Sequence, residues 1–128
     1  MAFQKSIAVR NAELDVIETT IGTAPVLKIY SGTQPADCAA ADTGVLLATL
    51  SLPTDWRVAA GGGTSIKLGT WSVGAATTGT IGHWRVKDKD SVTTHLQGNT
   101  SDMTFDNTSV TSGQVITVNT FTLTAGNA

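Results

Sequence analysis

The hydrophobic positions change their period once along the chain. Phe3, Ile7, Leu14, Ile17 and Ile21 are spaced by 4, 7, 3 and 4, as on one face of an α-helix. Arg10, Asn11, Glu13 and Glu18 fall mainly off that face, and Gly22 is placed to cap its end. The spacing predicts a helix over roughly residues 3–19. Such a stripe packs either on the chain's own sheet or, as a terminal arm, in a groove of a neighbouring subunit. Phe3, Ile7, Leu14 and Ile17 are therefore candidate partner-interface residues.

Beyond Gly22 the period is two. Leu27 and Ile29 alternate with Lys28 and Tyr30, and Ser31-Gly32-Thr33-Gln34-Pro35 makes a turn. A polar, Ala-rich stretch holding Cys38 runs to Gly44. Leu46, Ala48, Leu50 and Leu52 then share one parity, with Leu47 and Thr49 on the other. A strand starts near Trp56 and Val58, and Gly61-Gly62-Gly63 reads as a flexible loop. Ile66 and Leu68 have the opposite parity to Trp71 and Val73, which places a bulge or bend at Gly69.

Trp84 and Val86 alternate with His83, Arg85 and Lys87. The turn Asp88-Lys89-Asp90-Ser91 joins them to Val92, Thr94 and Leu96 as a hairpin. Met103 and Phe105 start a short strand. Val115 to Thr124 is the longest, with a bulge expected near Asn119-Thr120, where parity switches between Val118 and Phe121. About eight short strands with Gly- and Ser-rich turns predict an all-β chain: an antiparallel β-sandwich, jelly-roll or Ig-like, with a short N-terminal α-helix. A barrel is the alternative. The division is a helical arm over 1–22 and a β domain over 23–128. Leu27, Ile29, Leu46, Leu50, Ile66, Leu68, Trp84, Val86, Ile116 and Phe121 are the expected core. Trp71 is expected there too, whereas Trp56, opening a strand after a Pro turn, is assigned to an interface.

Composition narrows the chemistry. Only 14% of the 128 residues are charged, while 22 are Thr and 9 are Ser, so the polar surface is mostly hydroxyl. With 8 basic residues scattered against 10 acidic ones, no basic patch points to nucleic acid. The start lacks the apolar core of a signal peptide, and no run is long enough to span a membrane. The expectation is a protein made in a cytoplasm.

Candidate catalytic groups are sparse. His83 and His95 lie on one predicted hairpin and would need Asp88 or Asp90 to complete a zinc site, yet both aspartates belong to the turn. Cys38 has no cationic neighbour in sequence to activate its thiol. No Gly-x-Ser-x-Gly elbow is present. Asp102 and Asp106 are carboxylates in turn-like sequence, and Gly61-Gly62-Gly63 lacks the Lys-Ser/Thr of a phosphate loop. The reading is no enzyme, no cofactor and no metal.

Several segments carry a resemblance. They are Met1-Ala2-Phe3-Gln4, Ala12-Glu13-Leu14-Asp15 and Ile17-Glu18-Thr19-Thr20-Ile21-Gly22; Ile29-Tyr30-Ser31-Gly32-Thr33-Gln34-Pro35; and Gly79-Thr80-Ile81-Gly82-His83-Trp84-Arg85-Val86. Asp102-Met103-Thr104-Phe105-Asp106-Asn107-Thr108-Ser109, Ser112-Gly113-Gln114-Val115-Ile116-Thr117-Val118 and Phe121-Thr122-Leu123-Thr124-Ala125-Gly126-Asn127 belong with them. Together these segments resemble a family of small virion structural proteins of tailed bacteriophages and prophages. The resemblance implies a structural role without catalytic residues. A capsid decoration or cement protein comes first, bound to the major capsid protein, and a homo-oligomer, trimeric by lattice symmetry, is expected. A tail, neck or fibre-associated component that binds a host surface is the alternative. The turn Lys87-Asp88-Lys89-Asp90-Ser91 is more charged than the family pattern.

Overall fold

The computed structural model describes residues 4–124, so the Phe3 of the predicted stripe lies outside the described residues. The helix α1 spans Ile7–Ile21 and starts later than its hydrophobic spacing implies. Ser6 sets the start, its side chain accepting a hydrogen bond from the Val9 amide at 3.2 Å. Gly22 ends the helix, as expected, at φ 92°, its amide donating to the Glu18 carbonyl. No helix among the described residues is long and apolar enough to cross a membrane.

The rest is antiparallel β structure. The strands are β1 (Val26–Tyr30), β2 (Leu46–Ser51), β3 (Thr64–Ile66), β4 (Ser72–Gly74), β5 (Gly79–Thr80), β6 (His83–Lys87), β7 (Thr94–Asn99), β8 (Met103–Phe105), β9 (Ser109–Val110) and β10 (Val115–Thr124). One sheet has the order β2-β1-β6-β7. In the other, β10 pairs β3 near its end, β4 near its start and β8 across its middle. β5 and β9 form a separate small ladder.

The two larger sheets share one core. Leu27, Ile29, Trp84 and Val86 from the first meet Met103, Ile116, Val118 and Phe121 from the second. The Trp84 and Phe121 rings contact edge-on at 5.2 Å, and Trp71 lies between Phe121 and Trp56 at 5.8 and 6.4 Å. Burying this much apolar surface at roughly 25 cal/mol per Å² is what drives the chain to close.

Three expected core residues are exposed. Leu46 yields its place to Leu47, because the β1–β2 register shifts between Ile29 and Tyr30 and the resulting bulge turns Leu47 inward. Ile66 is 52% exposed and Leu68 also faces out. Ser65 is the inward residue of edge strand β3, since its hydroxyl serves the buried Arg57. The bulge expected in β10 is present at Asn119, between Val118 and Thr120.

The glycine triplet is a tight turn rather than a flexible loop. Gly61 and Thr64 exchange two backbone hydrogen bonds around Gly62 and Gly63, which have φ of 61° and 79°. Two successive positive φ values define the hairpin turn that matches strand twist, and side-chain-free residues adopt it most readily. A Cβ on Gly63 would also stand 2.5 Å from the Arg10 guanidinium of α1.

Candidate functional site

The helix is docked rather than free. Leu14 and Ile21 are buried and Ile17 packs partly against the core, so this face is occupied within the chain. Four polar contacts lock it in place. Arg57 donates from Nη1 to the Leu14 carbonyl at 2.8 Å, and Asn11 accepts from the Gly63 amide at 2.9 Å. Asp15 accepts from the Ala60 amide at 3.2 Å, and the Trp56 indole donates to the Gly22 carbonyl at 3.1 Å. Trp56, expected at an interface, is fully buried: it closes the core beneath the helix end.

Of the predicted interface stripe, Ile7 stays exposed. The exposed apolar residues Val9 and Val16 lie elsewhere on α1, with Ala12 between them at spacings of 3 and 4. Burial of the Leu14–Ile21 side leaves this second stripe facing solvent.

The histidines do not meet. His83 pairs with Asn99, and His95 is the extra residue of a bulge between Val86 and Lys87. His83 is buried, stacked on the Tyr30 ring at 5.1 Å, and its Nδ1–H donates to the Gly32 carbonyl at 2.9 Å. His95 instead lines a shallow groove beside Ile17 and Ile21. The candidate carboxylates bond backbone amides: Asp88 and Asp102 hold turns, accepting from Val92 and Asn99, and Asp106 accepts from Thr117 of β10.

The densest polar arrangement was hidden from strand periodicity. All five residues of β6 are buried, including His83, Arg85 and Lys87 on the face away from the core. A strap formed by residues 31–45 covers that face, closed at its base by the Ser31 amide donating to the Val45 carbonyl. Asp42 is its latch. One carboxylate accepts from Arg85 Nη1, from Lys87 Nζ at 2.7 Å and from the Tyr30 hydroxyl at 2.9 Å. Arg85 also donates from Nη2 to the Asp37 and Cys38 carbonyls, both at 3.1 Å, and Gln97 donates to the Pro35 carbonyl. Cys38, half-buried, thus contributes its backbone to the strap contact.

Partial burial opposes ionisation of Asp42, but the hydrogen bonds from Lys87, Arg85 and Tyr30 together outweigh it and hold the carboxyl at about 2. The same burial and the Asp42 bond push the Tyr30 phenol upward. Because the folded value lies below the ordinary 3.8, the latch contributes its full stability above that pH and loses it as pH falls towards 2. The Asp42 side chain is 36% exposed, so screening reduces the contribution to about 1–2 kcal/mol. Asp42→Asn is expected to lose about that much at pH 7. Urea unfolding of both proteins across pH should show the gap closing near pH 2; a gap that persists there would remove the ionic latch.

Searches against protein-family models, curated proteins and solved structures return no match to this chain.

Proposed function

We propose that this protein is a structural component of a tailed-bacteriophage virion, a decoration or cement protein on the capsid exterior. Its two larger antiparallel sheets are read as the layers of a β-sandwich, jelly-roll or Ig-like in type. The observation that carries the assembly role is the second apolar stripe of α1. Val9 and Val16 are 48% and 58% exposed, although the same helix already docks within the chain through the buried Leu14 and Ile21. Apolar residues held outward on a docked, rigid helix fit a partner's groove. The resemblance of the sequence to phage structural proteins supplies the partner class, with the major capsid protein first and a trimeric homo-oligomer as the lattice arrangement. The low charge suits crowding of many copies, because it avoids long-range repulsion.

A cement protein binds the closed shell and not its separated subunits, and so stabilises the shell by mass action. Val9→Asp combined with Val16→Asp is expected to abolish attachment to particles while leaving the melting temperature of the isolated protein unchanged. Densitometry of purified virions is expected to return copy numbers comparable to the major capsid protein. About a dozen copies per particle would instead place the chain in a tail, neck or fibre, the symmetry expected of a ring.

A further inference from the structure

We infer that the cleft between strap residues 38–42 and residues 92–94, where the β6–β7 turn runs into β7, binds a single oxyanion, a carboxylate or a phosphate group. This site is separate from the helix stripe and stands without the virion reading. The cleft has a volume of about 380 Å³ and is lined by Asp42, Arg85, Lys87, Thr93 and Thr94, with the methyls of Ala39 to Ala41. That is room for one anionic group and a small body attached to it.

Charge is the first argument. Lys28 and Arg85 stand directly opposite each other on β1 and β6, and Lys87 follows Arg85 on the same face. Like charges directly opposed across a ladder destabilise a sheet. Arg85 is 1% exposed and Lys87 is also buried, so their charges act where water screens them little. Asp42 alone pairs with these cations; Lys28 has no ion pair among the described residues. Asp37 and Asp88 lie nearby but turn their carboxylates to the amides of Ala39, Ala40 and Val92. The buried pair therefore carries one positive charge more than its latch neutralises.

Unused hydrogen-bonding capacity is the second argument. Arg85 Nε is a buried donor without a partner; the other unpartnered buried atoms of this sheet face, His83 Nε2 and Gln97 Oε1, are acceptors and take no part in holding an anion. Buried polar atoms left unpaired are costly, and a donor on a buried cation is the most costly kind. Lys87 uses one ammonium hydrogen on Asp42. An oxyanion in the cleft would accept from the rest of that ammonium and neutralise the surplus charge, and the Arg85 Nε–H, sealed from solvent in this structure, would join it through a turn of the guanidinium.

The test is a titration of the full chain with inorganic phosphate and, separately, with acetate, followed by amide and Arg side-chain NMR. Ionic strength is held constant with chloride. Saturable shifts are expected at residues 38–42, at 92–94 and at the Arg85 Nε–H. Saturation by acetate alone assigns a carboxylate, by phosphate alone a phosphate group, and by both a general oxyanion site. Lys87→Met should weaken binding about tenfold. Lys28→Met, on a half-buried side chain, should weaken it less and should raise the melting temperature without phosphate by relieving the opposed charges. If Lys87→Met does not fold, the Lys28 variant and the mapped shifts decide. Absence of saturation by either anion, shifts centred elsewhere, or unchanged affinity in the variants would overturn the proposal.

Discussion

Trp71→Ala is expected to bring the protein close to unfolding at room temperature. Trp71 is fully buried and is one of the two inner rings of the series Trp56, Trp71, Phe121 and Trp84. Truncating a buried Trp or Phe removes its transfer free energy and leaves a cavity that the surroundings fill only in part, a loss of about 3–5 kcal/mol. The indole also donates to the Leu68 carbonyl at 3.0 Å, an acceptor the variant leaves without that partner. Domains of this size hold a net stability of roughly 5–15 kcal/mol, so the loss takes a large share. Trp71→Phe keeps most of the volume and is expected to cost less than half as much. Urea unfolding measures both, and near-ultraviolet circular dichroism, which loses the Trp71 contribution in either variant, should keep the Trp56 and Trp84 contributions in the Phe variant and lose them in the Ala variant. A loss below about 1 kcal/mol for Trp71→Ala would mean that the rings do not pack as one body.

The elements that strand and helix periods announce are those whose burial depends on near neighbours in sequence. Leu27 and Ile29 are buried because alternation puts both on one face of β1, and the β10 bulge at Asn119 was visible as a change of parity. Leu47 and Ser65 escaped that logic. A bulge registers only once β2 is paired with β1, and Ser65 is inward because Arg57, eight residues earlier, needs its hydroxyl. The polar face of β6 was the largest omission. His83, Arg85 and Lys87 alternate with Trp84 and Val86 as a solvent-facing set would. Their cover comes from the strap, more than forty residues away in sequence. The one sequence hint was compositional: Lys28, Arg85 and Lys87 share a strand parity in a chain with few charges, and opposed cations ask for a counter-charge.

The helix poses a similar problem, because its spacing fits docking on the chain itself or on a partner equally well. Arg57 decides how firmly it is held here. The side chain is buried, lies 5.5 Å from the Trp56 ring centroid, and bonds both the Leu14 carbonyl and the Ser65 hydroxyl. Burial pushes its pKa down, while Glu18 and Asp15 pull the other way. Glu18 in turn is pushed up by burial and by Asp55, with Arg57 opposing. Arg57→Ala is expected to cost about 2–4 kcal/mol, the sum of charge-assisted hydrogen bonds and a cavity under the helix. Arg57→Met keeps the packing of the stem and isolates the charge. Without the guanidinium, Glu18 rises further. A carboxyl raised in the folded state favours folding below its ordinary 4.5 and forfeits that advantage as pH increases through its folded value. The Met variant should therefore fall furthest behind the natural protein at pH 7 and recover only part of the gap towards pH 4, since the bonds to Leu14 and Ser65 are lost at every pH; Glu18→Gln added to it should restore part of the loss at pH 7. Urea unfolding of the natural protein, Arg57→Met, Glu18→Gln and the double variant at both pH values gives the coupling between the two residues directly. If Arg57→Met matches the natural protein at pH 7, the guanidinium adds nothing to the docking, and the helix is held by the buried Leu14 and Ile21 together with the contacts of Asn11, Asp15 and Trp56.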